Sequence, residues 1–192
     1  MDQTEIINKI IEFADNAHGA QMRKYGDERY IVHPIRVMEI CSAVTQDLPV
    51  LAAAVLHDVI EDTPYSEQDI MSFLKALMPF QDRAMTLQIV KELTDVYVKK
   101  EFPALNRSAR KKRELERLRE ISPEAQTIKY ADIIDNSREI SGADPDFALR
   151  YLQECYDIVS ELKDGEPKLR SLAQKAIRKA YNNLAGISKT GL

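Results

Sequence analysis

No stretch of this 192-residue chain holds enough consecutive apolar residues to form a membrane-crossing helix, which excludes a helical membrane protein. A basic leader followed by an apolar stretch is also missing. Asp2 and Glu5 stand among amphipathic residues instead, so the expectation is a cytoplasmic chain without a secretory signal. Cysteine is nearly absent: Cys41 and Cys155 lie far apart and in no thiolate-ligand spacing. That suits a reducing compartment, argues against a zinc ribbon or redox pair, and leaves both as small buried residues. Glycine is scarce at six, and alternating β-branched runs bounded by turn signals are nearly missing, which removes sheet-based folds. Internal repeats, low-complexity tracts and long linkers are lacking as well. What remains is an all-α protein, expected to form a single compact domain over residues 1–192.

What is present has the balance of a globular protein, with 44% hydrophobic and 30% charged residues. A net charge of −4 gives no global attraction for nucleic acid, so no nucleic-acid partner is expected. The charge is uneven, however. Residues 107–119 gather Arg107, Arg110, Lys111, Lys112, Arg113, Arg117 and Arg119 against Glu114 and Glu116. Such a stripe suits a small anionic ligand better than a duplex. Arg110 and Lys111 are candidates for holding phosphates, and a solvated helix face accounts for the rest.

Helical periodicity punctuated by proline organises the chain. Ile6, Ile7, Ile10, Ile11, Ala14 and Ala17 form the stripe of a first helix closing near His18-Gly19. His33-Pro34 opens a second, running to about 44, with proline where a helix has no partner for its N–H. A third is expected over 50–61, apolar nearly all round through Leu51-Ala52-Ala53-Ala54-Val55-Leu56 and therefore central. Ser66-Glu67-Gln68-Asp69 is a capped start for a helix over 70–77, and another follows over 82–93. Residues 94–106 are the least regular segment. Beyond the basic helix, Ser122-Pro123 starts a helix carrying Ile128, Ala131, Asp132 and Asn136, and two more span about 147–162 and 166–184.

The chain has three histidines, and two fall in a set that reads as a ligand list: His33, the adjacent pair His57-Asp58, and Asp132 far downstream. In a continuous helix His57, Asp58, Glu61 and Asp62 would share one broad face. Burying three carboxylates and an imidazole together calls for a compensating cation, and mixed nitrogen and oxygen ligands favour Mn²⁺, Fe²⁺ or Mg²⁺. Each part has a plain alternative. A His-Asp dipeptide arises by chance, a histidine before proline is often a helix cap, Asp132 could bond Lys129, and Glu61 and Asp62 could form a solvated turn. The combination points to metal-dependent phosphate hydrolysis. His18 matches no ligand position and reads as structural.

The ordered set Ala17-His18-Gly19-Ala20-Gln21, Arg23-Lys24, Tyr30-Ile31-Val32-His33-Pro34, Leu56-His57-Asp58-Val59-Ile60-Glu61-Asp62-Thr63, Lys129-Tyr130-Ala131-Asp132 and Asn136 resembles the HD-superfamily hydrolases of the RelA/SpoT type. Within them it is most similar to the single-domain small alarmone hydrolases and metazoan SpoT homologues. The resemblance implies a compact multi-helix HD fold with its metal site between central helices. It also implies an Mn²⁺-dependent removal of the 3′-pyrophosphate from (p)ppGpp. By motif, the metal ligands would be His33, His57, Asp58 and Asp132, and the catalytic acidic pair Glu61 and Asp62. Arg23 and Lys24 would meet the base and phosphate, Asn136 the ribose, and Tyr151 the substrate side. The chain departs from the family's Lys-Leu-Ala-Asp-Arg-Leu-His-Asn at Ile133 and Asp135, and Glu139 replaces a threonine, which leaves guanosine and adenosine alarmones or another phosphate ester open. Two rivals stand beside this reading: an HD-type phosphatase or phosphodiesterase with another substrate, and a nucleotide-binding regulatory module without turnover.

Overall fold

In the computed structural model the backbone is described for residues 1–190, and the side chains for all of these except 141 and 186–190. The chain divides into two compact units, Met1–Arg23 with Asp27–Asp95, and Lys24–Gly26 with Val96–Leu192. Both are helical, as expected. Among the described residues the only β feature is an isolated bridge between Met22 and Arg29.

The first unit holds α1 (Gln3–His18), α2 (Val32–Ser42), α3 (Leu48–Leu56), α4 (Val59–Asp62), α5 (Glu67–Leu74) and α6 (Phe80–Leu93). Asp2 and Glu5 close a reciprocal capping box that starts α1, satisfying two amides that have no helical acceptor. Gly19, with φ +55°, takes the left-handed geometry that stops it. Ile6, Ile7, Ile10 and Ala14 bury the expected stripe. The same reciprocal cap between Ser66 and Asp69 starts α5, and the hydroxyl and amide of Ser66 hold the Asp69 carboxyl below its usual pKa. Every residue of α3 from Pro49 to Leu56 is buried, so this helix is the centre of the unit, with α1, α2 and α6 packed around it.

One expectation fails in an informative place. The helix expected over 50–61 is broken, because α3 ends at Leu56 and α4 begins at Val59. His57 and Asp58 occupy the break. The His57 ring lies with Nδ1 2.9 Å from the Ala54 carbonyl, the acceptor that a continuing helix would offer to the Asp58 amide. The side chain competes with the backbone and ends the helix where the ligand motif falls.

The second unit holds α7 (Arg107–Leu118), α8 (Pro123–Glu139), a short 3₁₀ turn (Ile140–Gly142), α9 (Pro145–Glu161) and α10 (Pro167–Thr190). Ser122 caps α8 and Pro123 sits at its first position, as the sequence indicates. α8 is the buried element, with α9 and α10 against it. Its polar residues clamp the turn between those two helices. Gln126 Oε1 accepts from the Asp164 and Gly165 amides, Thr127 Oγ1 accepts from the Glu166 amide, and the Tyr130 hydroxyl donates to the Leu162 carbonyl. Residues 94–106 are irregular as expected. Within this unit the segment is tied to α7 by Glu114, a buried carboxylate that accepts from the Val96 and Tyr97 amides and is paired with Arg117.

Candidate metal centre

The centre is built in the first unit from the start of α2 and the break after α3. His33 and His57 are 1% and 4% exposed, and Asp58 is half-buried beside them. Asp58 Oδ2 lies 3.6 Å from His33 Nε2 and 3.1 Å from His57 Nε2, and one ligand atom from each residue falls within 4.8 Å of the others. The two rings stand 5.3 Å apart at 62°. Because the Ala54 carbonyl can only accept, His57 Nδ1 is the donor there, and a neutral His57 ring turns its lone pair on Nε2 toward a carboxylate oxygen. Two acceptors facing one another need a positive charge between them. A second proton would serve His57, whereas a divalent cation serves both imidazoles and Asp58 at once. The residues therefore fit a divalent metal site.

The acidic pair behaves differently from the premise that it is buried. Glu61 and Asp62 are exposed on α4, and the groups of the centre drawn inward are the two imidazoles and, in part, Asp58. Glu61 is nevertheless fixed: its Oε2 accepts from the Asp95 amide at 3.0 Å. Tyr30 donates its hydroxyl to Asp58 Oδ2 at 2.7 Å. Burial first, and then the charges of Asp58 and Asp62, push the Tyr30 phenol far above the ordinary tyrosine range, so it stays a proton donor. Arg23 lies over the Tyr30 ring, 5.6 Å from its centroid. His18 is buried, stacks on the same ring at 4.5 Å and faces Gln21 Oε1 through Nδ1 at 3.0 Å, in keeping with its structural reading. Ala54 and Asp95 carry no chemical signature in the sequence, and Tyr30 has only its place in the motif Tyr30-Ile31-Val32-His33-Pro34.

In the second unit Asp132 is buried on α8, with Lys129 Nζ 3.0 Å from Oδ2 and Asn136 Nδ2 2.5 Å from Oδ1. The bond to Lys129 and a ligand role are compatible, since a carboxylate offers several lone pairs. Ile133 and Asp135, the departures from the family pattern, are both buried, and Asp135 faces Arg138 at 3.6 Å. Lys24 lies over the rings of Tyr25 and Phe147 at 5.2 Å, and Phe147 stacks with Tyr151 at 6.3 Å. Arg107, Lys112, Arg113 and Arg119 of the basic stripe are exposed, as a solvated helix face would have them, and most of its arginines also have partners. Arg107 forms a forked pair with Glu154, Arg110 donates to the Leu105 carbonyl, Arg113 lies over Tyr97, Arg117 pairs with Glu114 and Arg119 with Glu161. Lys111 is half-buried on the same helix. Cys41 and Cys155 are free and buried, as expected.

The helical fold and the cluster of His33, His57 and Asp58 go with the sequence comparison: residues 30–137 match the HD domain family, and the chain belongs to it. Its relatives include the bifunctional (p)ppGpp synthase/hydrolase SpoT of Escherichia coli (strain K12), 34% identical over 162 residues that cover 84% of this chain and 22% of that protein. Another is the guanosine-3′,5′-bis(diphosphate) 3′-pyrophosphohydrolase MESH1 of Mus musculus, 28% identical over 174 residues, covering 88% of this chain and 89% of that one. A solved structure, described as a metazoan ortholog of SpoT that hydrolyzes ppGpp and plays a role in starvation responses, matches with a TM-score of 0.76 at 27% identity, over 91% of this chain and 94% of its own. The chain thus spans about a fifth of the long bacterial relatives, and most of the mouse protein. Among the described residues no helix is long and apolar enough to cross a membrane.

Proposed function

We propose that this chain is a metal-dependent hydrolase that removes the 3′-pyrophosphate from (p)ppGpp or a closely similar nucleotide. The observation that carries the reading is the His33, His57 and Asp58 cluster, assembled in a chain that aligns along nearly its whole length with a hydrolase of that name. The ion we propose is Mn²⁺, and the family pattern, which runs through both units, supplies Asp132 as the fourth ligand. A bound divalent ion would lower the pKa of a water and draw charge from the phosphoryl oxygens.

The chain's own residues then have distinct tasks. Glu61, held by the Asp95 amide, and Asp62 are the acidic pair that orients the attacking water and takes its proton. Water adds to the phosphorus, the bond to the 3′ oxygen breaks and that oxygen recovers a proton, leaving pyrophosphate and the 5′-phosphorylated nucleoside. Arg23, Lys24, Asn136 and Tyr151 bind the nucleotide in this reading, with Arg110 and Lys111 toward its phosphates. Arg23 already lies over the Tyr30 ring, which supports a planar stacking role for it, and Lys24 is the cation for phosphate. The location we propose for an enzyme with such a substrate is the cytoplasm. Replacing His57 by Ala should abolish pyrophosphate release while the far-ultraviolet dichroism stays helical; unchanged turnover in that variant contradicts the assignment.

A further inference from the structure

The hydroxyls of Tyr30 and Tyr130 do different work. Tyr130 donates to a main-chain carbonyl, that of Leu162, and so belongs to the packing of its unit. Tyr30 directs its hydroxyl at a carboxylate of the candidate centre, and at the very oxygen of Asp58 that faces both imidazoles. An O–H donated to a carboxylate at 2.7 Å is a charge-assisted bond, among the stronger restraints a side chain can receive.

The ring that carries this hydroxyl is itself fixed. The Tyr30 amide donates to the Gln21 carbonyl at 2.9 Å, and the Gln21 amide donates to the His18 carbonyl at 3.0 Å. The His18 ring, facing the Gln21 side chain through Nδ1, lies against one side of the phenol. His33 meets the phenol edge-on at 5.9 Å and 71°, and the Arg23 guanidinium lies 5.6 Å from its centroid. The phenol cannot turn away from Asp58 without breaking this bracket.

We infer that Tyr30 is a positioning residue of the metal centre, whose hydroxyl holds the Asp58 carboxylate in the orientation that presents Oδ2 alongside His33 and His57, with His18 and Gln21 as its support. The inference rests on the metal-binding reading above. It assigns the motif Tyr30-Ile31-Val32-His33-Pro34 two functions: His33 offers a nitrogen to the ion, and Tyr30 aims an oxygen supplied from a different helix end. Tyr30→Phe keeps the ring and removes only the hydroxyl; because that hydroxyl also lies beside Asp62, metal affinity and not turnover reads out the restraint on Asp58. Loss of such an outer partner typically weakens metal affinity by about 10–100-fold.

The test is Mn²⁺ binding to metal-stripped protein, followed by titration calorimetry and by the electron paramagnetic resonance signal of free ion. For Tyr30→Phe the expected result is a dissociation constant raised about 10–100-fold, with the KM for nucleotide at saturating Mn²⁺ changed less than about twofold. Tyr130→Phe is the control. It removes the same atom from a tyrosine of the other unit and should lower the melting temperature while leaving Mn²⁺ affinity at the wild-type value. Wild-type Mn²⁺ affinity in Tyr30→Phe overturns the inference alone. A wild-type protein that takes up no divalent ion overturns it together with the metal site. Weakened binding in Tyr30→Phe, in a protein that cleaves no alarmone, supports the positioning role and overturns the substrate reading.

Discussion

Gly165 stands in the turn between α9 and α10, and the space for its side chain is already filled. A Cβ placed there would lie 2.7 Å from Tyr130 Cε2, 2.8 Å from the Thr127 amide nitrogen and 2.9 Å from Gln126 Cβ. Two of these neighbours cannot give easily: Thr127 N is backbone in the buried helix α8, and the Tyr130 ring is anchored by its hydroxyl on the Leu162 carbonyl. Relief must come from the turn moving off α8. That strains the bonds from the Asp164 and Gly165 amides to Gln126 and from the Glu166 amide to Thr127. Overpacking of this kind costs about 1–3 kcal/mol. Weakening two or three hydrogen bonds adds about 1 kcal/mol each, and the lower entropy of an unfolded chain with alanine returns about 0.4–1 kcal/mol. Gly165→Ala should therefore destabilise the protein by about 3 kcal/mol. In urea unfolding the midpoint should fall with little change in slope, and the melting temperature should drop by roughly 6–12 °C at about 2–4 °C per kcal/mol. Gly26→Ala, whose Cβ meets nothing within 4 Å, is the control and should stay within about 0.5 kcal/mol of wild type. A Gly165→Ala protein as stable as Gly26→Ala would refute the reasoning.

The two thiols give a pH prediction. Burial pushes Cys41 and Cys155 each up to about 12 from an ordinary value of 9.0, so the folded state keeps protons that the unfolded state releases. Their stabilisation is complete below pH 9 and is lost as the pH rises toward 12, and urea midpoints should fall across that window. Neither thiol should react with a disulfide reagent at pH 8 until the protein is unfolded; fast labelling of native protein contradicts the burial. Glu61→Gln keeps an oxygen for the Asp95 amide and should reduce kcat by about 10²–10⁴ with Mn²⁺ affinity unchanged; parallel loss of metal would make Glu61 a ligand instead. Glu114→Gln weakens the support of residues 94–106 and should cost about 2 kcal/mol in thermal or urea unfolding. An unchanged melting temperature would show that Arg117 and the two amides do not depend on that charge.

Local chemistry made much of this legible in advance. The caps at Ser66 and Ser122, the apolar face of α1 and the fully apolar α3 each follow from short-range sequence, and the structure places helices on all of them. Boundaries were less legible. α6 begins at Phe80 rather than 82, and α10 runs on past 184 to Thr190. The break at His57 and Asp58 is invisible to periodicity, because it depends on an imidazole taking a backbone acceptor from its own helix. The same limit applies at the centre. His33, His57 and Asp58 could be named from their motifs, whereas the hydroxyl on Asp58 comes from a residue 28 positions away and the amide on Glu61 from one 34 positions away. Spacing along the chain carries no trace of such partners.

Pyrophosphate release from ppGpp and ppApp by metal-stripped protein, with and without added Mn²⁺, tests the proposed function most directly. The expected result is release that requires Mn²⁺ and is abolished in His57→Ala, with the ratio between the two nucleotides giving the base preference. No release from either nucleotide, or release that persists in His57→Ala, would contradict it.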